Sequence, residues 1–222
     1  MEAKRPYITL NIACSLNGYI GRSRGDRLIL SSEEDLDVVD ELRAQSDAIL
    51  VGAETVRRDN PRLLIRDPKR QERRVAVGRP LNPCKVTLSR SGNLDSDNHF
   101  FQMGPSARLL YCADSASSEL RGKLGGVAEV ISAGASEVNL NFLLSDLLSR
   151  GISKLLVEGG ASIFNLFFKK RCFDELRLAI APFVLGEEDA VHLFEAGKYE
   201  LKNLQLSSTE ILGAMAVLHY KA

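Results

Sequence analysis

The chain has 222 residues, 45% of them hydrophobic, and its 29 Lys and Arg balance 29 Asp and Glu to a formal charge of zero. That length suffices for one domain with a sizeable core, and the balance argues against a general nucleic-acid binder, which carries a basic excess. No apolar run approaches the ~20 residues of a membrane span, and Met1 to Pro6 is not followed by an apolar signal core, so a cytoplasmic protein with neither nucleic acid nor membrane as partner is expected.

In chain order, Tyr7 to Ala13 reads as a strand, followed by the small and polar residues Cys14, Ser15, Asn17 and Gly18. Glu33 to Gln45 reads as a helix, with Ser31 or Ser32 as N-cap and acids in its first turn. Ala48 to Val51 is a short buried strand and Ala53 to Arg58 a short helix, which Asn60-Pro61 ends because the residue before proline avoids the α region. Residues 66–83, rich in Arg, Lys and Pro, read as a loop. Strands are expected at Lys85 to Leu88 and Ala107 to Cys112, then a helix from Ser115 to Leu124 stopped by Gly125-Gly126. Val127 to Ser132 is a strand, and Asn139 to Ser149 a helix with apolar residues at Leu140, Leu143, Leu144, Leu147 and Leu148 before Gly151. Lys154 to Val157 is a strand running into Glu158-Gly159-Gly160, and Ala161 to Lys169 the next helix. Glu175 to Ala181 is a strand, and Leu201 to Ile211 and Ala214 to Tyr220 form a terminal hairpin around Gly213. Strand–helix alternation with a closing hairpin predicts an α/β fold: a mostly parallel central sheet flanked by helices, with an antiparallel C-terminal edge, in a single domain over 1–222.

The four cysteines, Cys14, Cys84, Cys112 and Cys172, form no Cys-x-x-Cys, and His99, His192 and His219 are scattered, so no metal site is expected. Cys14, Cys112 and Cys172 read as buried, inert thiols.

Three strands run into small, polar or glycine residues, which is where open α/β sheets hold ligands. Glu158-Gly159-Gly160 leads a strand to a helix N-terminus, whose free N–H groups and dipole suit a phosphate; a ligand-free tight turn is the alternative. Neither G-x-G-x-x-G nor a P-loop is present. Thr55 and Asp59, four apart, share one face of the helix that follows Gly52; a well-capped helix is the plain alternative. Arg57, Arg58, Arg62, Arg66, Lys69, Arg70, Arg73 and Arg74 follow, and arginine's planar fork suits phosphate, although a solvated charge cluster would look the same. One or two of them are expected to touch ligand.

Together these segments resemble the riboflavin-pathway pyrimidine reductases, which have a dihydrofolate-reductase-like fold. S-L-N-G at Ser15–Gly18 resembles that family's S-L-D-G. V-G-A-E-T-V-R-R-D-N-P-R-L at Val51–Leu63 resembles V-G-x-x-T-V-x-x-D-x-P-x-L, and L-L-V-E-G-G-A at Leu155–Ala161 its third motif. Phe173-Asp174-Glu175-Leu176 leading to Ile180-Ala181-Pro182 and Leu185-Gly186 resembles V-D-E-L…I-A-P…L-G. The resemblance implies NADPH-dependent reduction of the ribosyl group of a 5-amino-6-ribosylaminopyrimidine 5′-phosphate to ribityl, by a homodimer whose C-terminal strands form the interface. Residue by residue, it implies cofactor contacts at Ala13, Thr55, Asp59, Ser89 and the turn Gly160, Ala161, Ser162, Ile163, Phe164, Asn165 and Leu166. Substrate contacts fall on Arg43, Leu63, Arg66 and Glu158, with Arg43 and Arg66 for the phosphate. No general acid is assigned. Arg90, beside Ser89, is suggestive of NADPH, and the choice between NADPH and NADH stays open.

The chain departs from the pattern at Asn17, in place of Asp; at Leu88-Ser89, which lacks a preceding Asp; and at Asp26-Arg27-Leu28-Ile29, where substrate contacts match poorly. It has no H-x-E…P-C-x-x-C, so deamination is expected elsewhere. Whether the substrate is the diaminopyrimidinone or the deaminated uracil is open. A dihydrofolate-reductase-like enzyme, another NADPH-dependent reductase, or a non-catalytic nucleotide-binding regulator are the alternatives.

Overall fold

The computed structural model describes residues 4–23, 28–195, 199 and 203–222. Gly25, Asp26 and Arg27, and the expected strand start at Leu201 and Lys202, lie outside them. The elements are, in order, β1 (Tyr7–Ser15), β2 (Tyr19–Arg22), α1 (Glu33–Gln45), β3 (Ala48–Gly52), α2 (Ala53–Asp59), α3 (Pro68–Ala76), β4 (Cys84–Ser89), α4 (His99–Gln102) and β5 (Arg108–Cys112). There follow α5 (Asp114–Leu124), β6 (Glu129–Ser132), α6 (Leu140–Ser149), β7 (Lys154–Gly159), α7 (Ala161–Lys170), β8 (Glu175–Ala181), β9 (Ala190–His192), β10 (Gln205–Leu212) and β11 (Met215–Lys221). The chain divides into two compact units, 1–7 with 40–156 and 8–39 with 157–222.

In the first unit, β3, β4, β5 and β6 lie side by side and parallel, with Gly52 opposite Leu88 and Ser89 opposite Cys112. The pattern is the one expected of parallel strands covered on both faces: β3 is buried at every residue, so it reads as a continuous apolar run rather than an alternation. Val51, Val56, Leu63, Leu94, Phe100, Phe101, Leu110 and Leu120 belong to one core cluster. Asn139 caps α6 through Oδ1, which accepts from the Phe142 N–H at 3.2 Å. Lys85 is wholly buried on β4 and its Nζ donates to the Phe100 and Met103 carbonyls at 3.1 and 2.6 Å. Burial, with repulsion from the Arg108 and Arg43 guanidiniums, lowers this ammonium to about 8.

In the second unit, β1 pairs in parallel with β8, β8 is antiparallel to β11, and β11 to β10. The strand order there is β10-β11-β8-β1. Gly213, at φ 59°, makes the hairpin turn in the left-handed region open to glycine. Ala179, Ala181, Met215 and Val217 bury one face of these strands, with Ala13 and Leu30 packed against them. Short β2 and β9 form a separate antiparallel pair, which the sequence did not announce. Ser32 is the α1 N-cap, its Oγ accepting from the Asp35 N–H at 3.2 Å.

The segment 66–83, expected as a loop, contains α3. Asp67 caps it by accepting from the Lys69 N–H at 2.8 Å, and Pro68 stands at its first position, where proline costs no hydrogen bond. The reason it escapes the hydrophobic pattern is that its inward positions are arginines. Arg74 is buried and donates to the carbonyls of Pro80, Ala44 and Ser46. Arg70 pairs with Asp40 and Glu41, and Arg73 with Glu41. Much of the expected cationic cluster is thus spent on structure.

Candidate active site

The carboxyl edge of the first unit is built by β3 and β4. Their register sets the end of β3 beside the end of β4, so the helix that follows Gly52 and the Ser89 turn share one edge. α2 begins at Gly52 without a side-chain cap. Thr55 and Asp59 lie one turn apart on it, both half-buried, while Val56 points into the core. Ser89 is buried and its Oγ accepts from the Gly92 N–H at 3.1 Å, closing the turn. On the outer side of α2, Arg57 pairs with Glu54 and donates to the Asn93 carbonyl, which removes that arginine from the phosphate candidates.

Between α2 and α3 runs a strap without regular structure, 60–67. A buried backbone outside any ladder needs partners for its polar groups, and here side chains supply them. Asn60, left-handed at φ 42°, accepts from the His99 N–H at 2.6 Å. Arg43 Nη1 donates to the Leu64 carbonyl at 3.2 Å. Asn82 Oδ1 accepts from the Ile65 N–H and Gln71 donates to the Ile65 carbonyl, both at 2.8 Å. Asp40 accepts from the Arg66 and Asp67 N–H groups at 2.6 and 3.1 Å. Leu63, at φ 49°, buries its side chain in the core and can meet a ligand only through its backbone. Arg66 keeps a side chain 58% exposed, with Nε 3.8 Å from Asp40 Oδ1. Of the three expected substrate residues of this unit, Leu63 and Arg66 therefore lie on the strap, and Arg43 of α1 bonds to it through the Leu64 carbonyl.

The second unit carries the other carboxyl edge. β1 ends at Ser15 opposite Ala181 of β8, and Ala13 stands opposite Ala179. Asn17 explains its departure from aspartate. Its Nδ2 donates to the Leu185 carbonyl at 2.7 Å, and its Oδ1 accepts from the Leu185 N–H at 3.0 Å and the Ser15 hydroxyl at 2.8 Å. A carboxylate has no donor for that carbonyl.

β7 passes through half-buried Glu158 to Gly159 and then to Gly160, the N-cap of α7. Gly159 has φ 134°, a conformation L side chains rarely adopt; an added Cβ would meet the Phe164 ring at an ordinary 3.6 Å, so backbone angle rather than space selects glycine there. No side chain caps α7, and the first N–H groups of a helix have no partner within it. Ala161 and exposed Ser162 occupy that first turn. Ile163, Phe164 and Asn165 turn inward and are buried, while Leu166 is half-buried. Asn165 is committed within the protein: Nδ2 donates to the Ala161 and Leu193 carbonyls at 2.7 and 2.9 Å, and Oδ1 accepts from the Glu195 N–H and the Tyr199 hydroxyl. Its part in any ligand contact is to hold the turn.

Asp40 is the residue the sequence reading passed over. It lies on the buried side of α1, beside Val39 and one turn before Ala44, and an acid at inward positions of a helix is a signal that a partner must exist. Among the described residues no group of His, Cys, Asp and Glu could hold a metal ion, and no helix is long and apolar enough to cross a membrane.

These features define a mixed α/β protein with a mostly parallel sheet, antiparallel C-terminal strands, and glycine-led helix starts at the carboxyl ends of β3 and β7. The family model "RibD C-terminal domain" matches residues 6–218, and the chain belongs to that family. It is 33% identical over 94% of its length, and 94% of the relative's, to the 2,5-diamino-6-ribosylamino-4(3H)-pyrimidinone 5′-phosphate reductase of Archaeoglobus fulgidus. The enzyme of the same name from Methanothermobacter thermautotrophicus is 34% identical, covering 97% of this chain and 98% of that one. Among solved structures, a pyrimidine reductase-like protein of Corynebacterium diphtheriae superposes with a TM-score of 0.84 at 26% identity, covering 97% of this chain and 91% of that one.

Proposed function

We propose that the protein is an NADPH-dependent reductase of riboflavin biosynthesis, which converts the ribosyl group of 2,5-diamino-6-ribosylamino-4(3H)-pyrimidinone 5′-phosphate to ribityl. The observation that carries this reading is a likeness running end to end along relatives of the same length, both named for that one substrate. The diaminopyrimidinone is preferred over the deaminated uracil on the same ground. The chain acts as a single reductase domain, and a homodimer is its working form.

Each unit holds residues that suit part of a nicotinamide dinucleotide. The uncapped first turn of α7, at Gly160, Ala161 and Ser162, offers amide N–H groups and the positive end of a helix dipole to a phosphate. Thr55 and Asp59 offer a hydroxyl and an acceptor on α2, and Ser89 fixes the neighbouring turn. When bound, NADPH supplies a hydride from its nicotinamide C4 to the substrate's opened ribosyl imine carbon, while the imine nitrogen takes a proton. The protein's share is to bind, orient and exclude water. Arg43 and Arg66 hold the 5′-phosphate, Leu63 contributes main-chain contacts, and Glu158 accepts hydrogen bonds from the pyrimidine or ribose. Exposed Arg90, beside Ser89, favours the 2′-phosphorylated cofactor.

The test is direct. Purified protein is mixed with NADPH and each of the two ribosylaminopyrimidine 5′-phosphates, and loss of the nicotinamide absorbance is followed. Oxidation is expected with the diaminopyrimidinone. Binding of NADPH without oxidation by either substrate would move the protein to a reductase of another substrate or to a nucleotide-binding regulator.

A further inference from the structure

We propose that Asp40 is a positioning residue for the substrate phosphate, acting through Arg66; this rests on the reading of Arg66 as a phosphate ligand.

Asp40 is 1% exposed, yet it carries a carboxylate at a point where two short stretches of chain must be held together. Its Oδ1 accepts from the Arg66 N–H at 2.6 Å and faces the Arg66 Nε at 3.8 Å. Its Oδ2 accepts from the Asp67 N–H at 3.1 Å and from Arg70 Nη1 at 3.0 Å. One buried group therefore fixes the Arg66 main chain by a hydrogen bond and stands at ion-pair distance from its guanidinium, on a side chain 58% exposed. Hydrogen bonds to a charged, buried acceptor are the strong class, and a carboxylate can take all of these donors at once. The arrangement solves a specific difficulty. An exposed arginine on a strap without regular structure pays rotamer entropy each time it meets an anion. A strap pinned by Asp40 presents the guanidinium already placed, so less of the binding energy is lost to ordering. Arg70, tied to the same carboxylate and to Glu41, keeps the start of α3 in register with Arg66.

The experiment compares affinities for the reaction product, the ribitylaminopyrimidine 5′-phosphate, and its dephosphorylated form, by calorimetry in the wild type, Asp40→Asn, Arg66→Ala and the double variant. In the wild type the phosphorylated form should bind far more tightly. Asp40→Asn keeps the shape and one acceptor but loses the charge. It should shrink the gap between the two ligands by about tenfold, leaving the dephosphorylated ligand and NADPH binding within about twofold. Added to Arg66→Ala it should cost nothing further, since both act through one contact. A gap unchanged in folded Asp40→Asn, an equal loss for both ligands, or additive losses in the double variant would each overturn the proposal. Should Asp40→Asn fail to fold, Asp40→Glu, which keeps the charge but displaces it by one methylene, is read against the same criteria. A wild type with no gap between the two ligands would instead overturn the phosphate reading of Arg66, and Asp40's role with it.

Discussion

Thr55 and Asp59 sit at positions i and i+4 of a seven-residue helix whose N-terminus no side chain caps. If they serve the cofactor, Thr55→Val and Asp59→Ala should each raise the Kd for NADPH by about five- to tenfold, the worth of one hydrogen bond to a polar or charged partner. Fluorescence quenching of NADPH would measure it, and unchanged affinity in both variants would remove α2 from the cofactor site. Arg66→Ala makes a different demand: KM for the phosphorylated pyrimidine should rise with a loss of about 2–5 kcal/mol if the pair is desolvated, and unaltered kinetics would show that arginine to be merely solvated. Lys85, which faces the Arg108 and Arg43 guanidiniums, is a matter of stability. Its folded pKa, about 8, is below the ordinary 10.5. Between those values the unfolded chain binds the proton and the folded chain does not, so this residue's contribution to stability rises with pH across that window. Below pH 8 the burial penalty is fully present. Lys85→Met leaves the Phe100 and Met103 carbonyls the Arg108 guanidinium, at 3.3 and 3.4 Å, and removes the titration. The stability difference between variant and wild type, from urea unfolding, should therefore shift in favour of the wild type from pH 8 to 10.5. A difference flat across that range would contradict the assignment; Cys84, raised to about 12 by burial, is common to both proteins and cancels.

At the scale of elements, α3 is held by its charges. Arg74 donates to Pro80, Ala44 and Ser46 carbonyls at 2.6–2.8 Å from a buried position. Arg74→Met fills similar volume but leaves buried carbonyls without these donors. It should destabilise the protein by about 2–4 kcal/mol, measured by urea unfolding; a loss under about 0.5 kcal/mol would place the helix's anchorage elsewhere. The same helix shows where sequence reading stops. α1, expected over Glu33–Gln45, and β8, over Glu175–Ala181, were legible to the residue because caps, breakers and apolar spacing agree there. α3 has no such stripe: its inward side chains are Arg70 and Arg74, and their partners Asp40, Glu41, Ala44 and Ser46 come from about thirty residues earlier. A local pattern cannot announce a partner that only folding brings near. For the same reason Arg43, Leu63 and Arg66 could be named through the family resemblance, whereas Asp40, Asn82 and Gln71, which tie that strap in place, could not. Asn165 was named for the cofactor turn, but three of its four partners, Leu193, Glu195 and Tyr199, come from some thirty residues later and could not be read from spacing.

For the molecule as a whole, the second unit leaves one sheet face to be explained. Along β8, β11 and β10, residues alternate between two faces. One buries Ala179, Ala181, Met215 and Val217. On the other, the registers place Ile180 opposite Ala216 and Ala216 opposite Ile211, and Leu178 opposite Leu218 and Leu218 opposite Thr209. These residues are only partly covered, and Ile211 is 82% exposed. β10 stands at the end of the strand order, and an edge strand with apolar side chains is ordinarily blunted by charge, proline or a covering element. Here Glu210 is tied to His219 on the neighbouring strand instead, its Oε1 2.8 Å from the ring Nε2. A second copy of the chain, laying the same strands against these, would bury the row on both sides at once, as an isologous twofold contact requires. Ile211→Glu should then weaken the dimer strongly, because it buries a carboxylate from each copy in the contact, while the fold of the single chain is spared by the residue's exposure. Sedimentation velocity at micromolar concentration should give twice the chain mass for the wild type and the single-chain mass for the variant. A wild type that sediments as one chain would leave this face without a partner of its own kind, and an unperturbed Ile211→Glu dimer would put the contact on another surface.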